Sequence, residues 1–571
     1  MIDQIKADLK NLLIKAGVTN PLELTTPPNP DMGDFALPCF ALAKEQKKSP
    51  NEVANSIVDA LDTAEWEKLD FLQDVAAEGP YVNFFLKNSV LSERVIEAVK
   101  TQKENYGSNN LGQGKKVMVE YPSNNTHKEF HIGHLRNVCI GNTLVELYRK
   151  SGYDVVVVNY LNDFGAHVAK CLWGLMKFHQ NEQPPENKQK WLGDIYAEAS
   201  QYAKEHPESA EEIAVVQKRL EQHEPTLEEV FMVTRQWSID RFEEIFKELG
   251  VMHQAVFYEK DLKDQGQKMV EDLLSKGIAK VGERGAIIID LTEFNLDVAL
   301  LRKADGSGLY LTSDLPLSQE KFKQFDVVES IYITGQEQNF YFKQLFKVLD
   351  LMGFHKKMTH IGYGLVNKPE GKMSSRLGNV VLYDELRTDV ETLLMTASRE
   401  RHPDWTSEKL EGVVKTITFA ALKFNMQQHE AAKTFTFDAK QAVSFDGFSA
   451  PYILYVVARI SSLFKKAPAA YQHNLQSDYA LLTEPEEKKL VMLMARYGGV
   501  IEKALETYNP SVMTTYCFEL AQAFNDFYTK QSILNASNEL LIQTRLTLAQ
   551  AVQQVLKNAM GVLTIRTIEE M

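Results

Sequence analysis

One stretch, Val117 to Tyr160, constrains the fold more than the rest of the chain. Val117–Tyr121 is an apolar run of strand length, and Pro122–Thr126 is a polar loop. From His131 to Lys150 the residues Ile140, Leu144, Leu147 and Tyr148 share one helical face, and Gly152 marks a stop. Asp154 then leads into a second strand, Val155–Tyr160. Strand, helix and strand in that order make a right-handed crossover between parallel strands, because the helix carries the chain back to the starting end of the sheet. Similar runs recur at Ala286–Asp290, Val327–Thr334 and His360–Val366, so an α/β fold built on a parallel sheet is expected. Between them Lys177–Asp264 is charged and helical and reads as an insertion.

At 571 residues the chain is too long for a single core. We expect a small α/β domain over 1–106, the parallel-sheet domain over 107–385 with helical insertions at about 177–264, and an all-α domain over 386–571. In the first, Ile2, Ile5, Leu9, Leu12 and Leu13 repeat at helical spacing. A Pro-rich turn follows, then a helical stretch from Phe35 to Lys47 and a turn and strand over Gly79–Leu86. Polar Lys103–Lys116 reads as a linker, and from Tyr383 onward only helical periodicity is visible. The start carries Asp3 and Asp8 and no long apolar block, which argues for an ordinary helix rather than a targeting segment. No apolar run approaches the length of a membrane span, so no membrane partner is expected. The cysteines Cys39, Cys139, Cys171 and Cys517 form no close pair, so neither a disulfide framework nor a zinc site is indicated and a cytoplasmic location fits. A formal net charge of −14 counts against nucleic acid as a partner for the surface as a whole, but local basic stripes escape that average.

Two segments carry chemistry. In Glu120–His134, two histidines flank Ile132 and Gly133 where a loop enters a helix. A helix start offers free N–H groups and a positive dipole end to phosphate, Gly133 lets a base or ribose approach the backbone, and His131 and His134 can donate to phosphate oxygens. Two surface histidines at a helix start would be the plain alternative; the position between parallel strands favours a nucleotide. In Gly371–Asn379, Lys372, Met373, Ser374, Ser375 and Arg376 lie between glycines, a set of cations and hydroxyls that suits a polyphosphate. Standing alone it would read as a solvated basic turn.

Together the two segments resemble the HIGH and KMSKS signatures of class I aminoacyl-tRNA synthetases. The similarity is greatest to the arginyl-tRNA synthetases and covers nearly the whole chain. It includes Gly33-Asp34-Phe35-Ala36, Gly79–Phe84, His134-Leu135-Arg136-Asn137, Asn162-Asp163-Phe164-Gly165, Pro451–Ile460, Phe524–Tyr528 and the ending Thr567–Met571. The resemblance implies a Rossmann-like catalytic core, an N-terminal domain that touches tRNA and an all-α anticodon-binding bundle. It implies that L-arginine is activated with ATP, accompanied by Mg2+, and transferred to the terminal adenosine of tRNA(Arg) by a cytoplasmic monomer, with activation dependent on bound tRNA. No protein metal site is implied.

The resemblance also implies roles. His131 and His134 meet the phosphates, Gly133 packs on adenosine, and Lys372, Met373, Ser374, Ser375 and Arg376 close on the leaving pyrophosphate. A guanidinium is planar, permanently charged and rich in donors, so its pocket needs carboxylates. Tyr310 and Asp314, four apart on one helical face, resemble the family's arginine motif, with Glu120 as a second carboxylate and Asn125 and Gln338 at the substrate's backbone end. Outside that frame Asp314 would read as a helix cap, Glu120 as a strand-end charge and Tyr310 as a core aromatic. Tyr455, Arg459 and Tyr528 would form an anticodon platform, or else bundle core, and Asn83 would touch the outer corner of the tRNA.

Three positions depart from the family pattern. Ser375 replaces the second lysine of the mobile loop, so Lys128, three residues before His131, is expected to supply the missing cation, with Arg376 as the alternative. Asn142 stands where an acid is common and reads as a helix-surface change. Tyr341 stands where a histidine is common, which puts a secondary substrate contact in doubt. Two other readings compete: a class I synthetase for another amino acid, and an inactive synthetase-like paralogue that only binds RNA. The carboxylates disfavour the first, and intact His131, Gly133, His134 and Lys372 disfavour the second.

Overall fold

The computed structural model describes residues 2–18, 23–27, 29, 32–61, 66–304, 306–367, 381–471 and 475–571. Lys372, Met373, Ser374, Ser375 and Arg376 lie outside the described residues.

The N-terminal region carries an antiparallel sheet of β1 (Phe35–Pro38), β2 (Leu72–Glu78) and β3 (Tyr81–Leu86) in the order β1-β3-β2. The expected helix over Phe35–Lys47 therefore begins only at Phe40. Phe35, Ala36 and Leu37 are buried and pair with β3, and tertiary pairing overrides a helical spacing that Pro38 would in any case interrupt. Gly33 enters this strand with φ +101°, and a Cβ there would stand 2.9 Å from the Phe84 carbonyl oxygen.

The central sheet is wholly parallel. Its strands are β4 (Lys116–Glu120), β5 (Asp154–Leu161), β6 (Ala255–Tyr258), β10 (Glu329–Gly335) and β11 (Lys357–Tyr363), in the order β11-β10-β4-β5-β6. Helix Ile132–Lys150 crosses from β4 to β5, and Val117 and Val119 sit in register with Val155 and Val157. Two expectations are corrected. β6 is a strand within the stretch read as wholly helical; it follows helices Lys188–Glu205, Ser209–Glu221 and Pro225–Leu249 and closes one edge of the sheet. The Ala286–Asp290 run belongs to a separate antiparallel sheet of β7 (Lys280–Val281), β8 (Ile287–Asp290) and β9 (Val298–Arg302). Only a short turn separates β8 from β9, and a short connection enforces antiparallel pairing.

The C-terminal region is helical apart from β13 (Phe435–Thr436), which pairs with β12 (Val366–Asn367) of the core. Arg136, buried on the crossover helix, fixes this junction by donating to the carbonyls of Gly364, Lys433 and Glu430 at 2.5, 2.8 and 3.1 Å. Asn142, read as a surface position, is buried on the same helix. It accepts from the Tyr121 hydroxyl at 2.8 Å and donates to the Leu249 carbonyl at 3.1 Å. An amide fills both roles, whereas an ionised acid could not donate to Leu249.

A single apolar cluster runs from Ile2 through the inner face of the central sheet to Ile565. The N-terminal region is further tied to helix Pro485–Glu506 by the Asp34–Lys488 ion pair at 2.8 Å and by the Tyr106 hydroxyl donating to Met494. Among the described residues no helix is long and apolar enough to cross a membrane.

Candidate active site

At the carboxyl ends of β4, β5 and β10 lies a cleft of about 390 Å³, the usual place for a ligand in a parallel sheet. Glu120, Asn125, Tyr310, Asp314 and Gln338 all line it, so the structure brings the five expected pocket residues together. Tyr310 and Asp314 lie on one face of helix Tyr310–Phe325. Tyr310 is 58% exposed, which removes the core-aromatic alternative. Of the lining residues, Asp314 Oδ1, Tyr160 Oη and Ser123 Oγ are buried with no hydrogen-bond partner among the described residues. Buried polar atoms are costly when unpaired, so this set calls for a polar partner, a ligand or ordered water. Larger clefts of about 800 and 580 Å³ lie against the C-terminal helices and are lined by other residues.

Three residues shape the charge here that sequence reasoning did not assign. Tyr341 donates its hydroxyl to Asp314 Oδ2, so the position noted only as a departure holds the key carboxylate. Lys321 is fully buried and forms an ion pair with Glu120. Burial works against the Lys321 charge, but Glu120, Tyr332 and Asp314 together outweigh it and the pKa sits above the ordinary lysine value. Lys321 lies seven residues after Asp314, two helical turns along, so its spacing carried a usable signal. Glu259 follows β6, and with that strand unrecognised nothing in the sequence pointed to it. Burial, then the Asp314 charge, pushes Glu259 up to about 8. Burial likewise pushes Asp314 up to about 7, against the Tyr341 hydrogen bond and the Lys321 charge.

The histidine pair stands at the start of the crossover helix. His131 is its N-cap, and its Nδ1 accepts from the Gly133 N–H at 3.1 Å. His134 Nδ1 accepts from the His131 N–H at 3.3 Å, and the rings stack with centroids 3.7 Å apart. Gly133 serves this arrangement as well, since a Cβ would stand 3.0 Å from the His131 ring. Burial, with the Lys128 charge, lowers His131 to about 4 and holds His134 well below the ordinary value. Both rings are therefore neutral near pH 7, and with each Nδ1 accepting, each proton is assigned to Nε2. The chain that resumes at Val381 pairs beside them: Ile132 donates to Val381 at 2.9 Å and Tyr383 to Phe130 at 3.0 Å.

Lys128 lies in the loop before His131 with its ammonium 4.9 Å from the Tyr196 ring centroid. Asp163, in the Asn162–Gly165 motif, is structural: it accepts from Arg235 at 2.6 Å and from the Lys260 N–H at 3.0 Å. In the C-terminal bundle the Arg459 guanidinium lies over Tyr455 and Tyr528, 4.7 and 4.9 Å from their centroids, and the two tyrosines are 41% and 40% exposed. These rings form a surface patch, not bundle core. Asn83, by contrast, is 1% exposed and bonds Glu78, so its side chain presents no surface to a partner; the polar residue is consumed by packing within the N-terminal sheet.

The fold and cleft are those of a class I aminoacyl-tRNA synthetase: residues 95–439 match the family model described as tRNA synthetases class I (R), catalytic domain. Residues 1–86 match the arginyl-tRNA synthetase N-terminal domain and residues 453–571 the DALR anticodon-binding domain. The chain belongs to the arginyl-tRNA synthetase family. It is 35% identical over 550 residues to the arginine–tRNA ligase of Clostridium botulinum, covering 95% of each chain. It is 35% identical over 576 residues to that of Streptococcus suis, covering 100% of this chain and 99% of the other. In fold it resembles the arginyl-tRNA synthetase of Thermus thermophilus, with a TM-score of 0.82 at 22% identity over the full length of both chains.

Proposed function

We infer that this chain activates L-arginine with ATP and transfers it to tRNA(Arg). The observation that carries this reading is the cleft in which the buried Asp314 Oδ1 has no partner among the described residues. The carboxylate of arginine attacks the α-phosphate of ATP, giving arginyl-adenylate and pyrophosphate; the 2′-hydroxyl of the terminal adenosine of the tRNA then takes the arginyl group and AMP leaves. Asp314 accepts from the guanidinium, held in place by Tyr341, with Tyr310 covering the mouth. Glu120, neutralised in part by Lys321, serves as an acceptor at the rim, and Asn125 and Gln338 orient the substrate's backbone end. The Nε2 protons of His131 and His134 donate to phosphate oxygens, and Gly133 gives the adenosine its approach. Lys128 supplies the cation that Ser375 does not, and Lys372, Met373, Ser374 and Arg376 are the residues that the family resemblance assigns to the pyrophosphate. Mg2+ enters with the nucleotide and screens its charge. Tyr455, Arg459 and Tyr528 stack on anticodon bases. The domain divisions at 106/107 and 385/386, a cytoplasmic location and a monomeric state belong to the same reading.

Asp314→Asn keeps the shape of the site and removes its charge. Loss of a buried charged acceptor costs ~2–5 kcal/mol, a rise of about thirtyfold to a few thousandfold in the arginine KM. The ATP KM stays near the wild-type value. An unchanged arginine KM would reduce Asp314 to a structural residue and remove the basis for arginine specificity.

A further inference from the structure

Three residues of helix Lys188–Glu205, in the insertion, grip the loop that enters the histidine helix. Gln189 donates to the Lys128 carbonyl at 3.1 Å. Gly193 packs so closely on Glu129 that a Cβ would stand 2.4 Å from its side chain. Tyr196 presents its ring to two ammonium groups of the catalytic core, Lys128 at 4.9 Å and Lys170 at 5.7 Å from the centroid. The ring is seated against Cys171, Leu192 and Ile195, so its orientation is set by packing. Its hydroxyl forms no hydrogen bond among the described residues, though it lies near enough to Tyr310 to be one cause of that phenol's raised pKa, after burial and Glu259.

The chemistry of this seat matters. Lys128 forms no ion pair among the described residues, and after burial its charge is a further cause that lowers the pKa of His131, His134 and His167. A carboxylate holding the ammonium would also cancel its field. An aromatic face attracts a cation through its quadrupole and leaves the full charge available to a phosphate. A free lysine would have to give up its rotamer freedom when it met the phosphate; on this ring much of that freedom is already lost.

We propose that Tyr196 is a positioning residue for adenylate formation: it holds the Lys128 ammonium, still charged, beside the histidine pair. This gives the helical insertion a part in the reaction and rests on the reading that Lys128 meets the phosphates. The test measures adenylate formation in the full-length chain with tRNA present. It compares wild type, Tyr196→Leu, Tyr196→Phe, Lys128→Ala and the Tyr196→Leu/Lys128→Ala pair. Tyr196→Leu lowers kcat about tenfold, the size of a partly desolvated cation–π contact, with the arginine KM unchanged. Tyr196→Phe, which keeps the ring, restores kcat to within about twofold of wild type. In the Lys128→Ala background Tyr196→Leu has no further effect. Full activity in Tyr196→Leu beside a slow Lys128→Ala overturns the positioning role alone. The same holds if Tyr196→Phe is as slow as Tyr196→Leu, or if the paired variant loses the product of both effects. Wild-type turnover in Lys128→Ala overturns the phosphate reading of Lys128 and the positioning role with it.

Discussion

Asp314 carries a stored consequence for pH. Its carboxyl is pushed up to about 7 by burial in the unliganded cleft, whereas a guanidinium binds only the ionised form. Below that value arginine must displace a proton as it binds; above it the site is already charged. Arginine affinity should therefore rise with pH through about 7 and level off about one unit higher, approaching tenfold per unit on the acid side. Arginine KM measured across this range, with Asp314→Asn as the flat control, checks the sign: a KM that falls with acidification contradicts the assignment. At this scale the sequence, through a family motif, picks out residues that the fold brings together. Glu120, Asn125, Tyr310, Asp314 and Gln338 converge on one cleft although they come from distant segments. What it concealed was electrostatic context. The order of residues puts Lys321 on the face of Asp314, but its pairing with Glu120 depends on how helix Tyr310–Phe325 lies against β4, and the Tyr341–Asp314 bond on how that helix meets Asn339–Leu351.

Among elements, the βαβ crossover was legible because one helical face and two apolar strands leave little choice of arrangement. β6 and β1 were not. β6 is short and half-buried at a sheet edge, and β1 runs almost directly into helix Phe40–Gln46. Neither offers a clean two-residue alternation, so partner strands decide their state. Asn142 was misjudged for a related reason: the crossover helix is buried nearly all round, so an outward-looking position faces Tyr121 and Leu249 instead of water. Helices Ala450–Lys466 and Ser511–Lys530 bring Arg459 between two exposed tyrosines. A cation sandwiched by rings is suited to splayed bases, each stacked base contributing ~1–3 kcal/mol. Arg459→Ala should weaken tRNA binding by about five- to hundredfold, and wild-type binding should fall steeply with salt despite the net charge of −14. Equilibrium binding over a salt series checks both; salt-independent affinity, or an unaffected Arg459→Ala, contradicts the platform.

Across the whole molecule, the apolar cluster that joins Ile2 to Ile565 passes through the N-terminal region, one face of the central sheet and the C-terminal helices. Arg136 ties the histidine helix to the carbonyls on both sides of the β12–β13 junction, and Lys488 ties the bundle to Asp34. A truncation before the last helices would expose that core, so tRNA binding and arginine activation are best measured together in the full chain. The central claim is that one chain activates arginine at the Asp314 cleft and answers to tRNA bound along its helical region. Amino-acid-dependent exchange between ATP and pyrophosphate, run with and without tRNA(Arg), tests it most directly. The account predicts little exchange with arginine alone and strong exchange once tRNA(Arg) is added, with other amino acids inactive. Equal exchange without tRNA contradicts the dependence on tRNA. Exchange with another amino acid contradicts the specificity of the cleft, and no exchange under any condition makes the chain an RNA-binding paralogue.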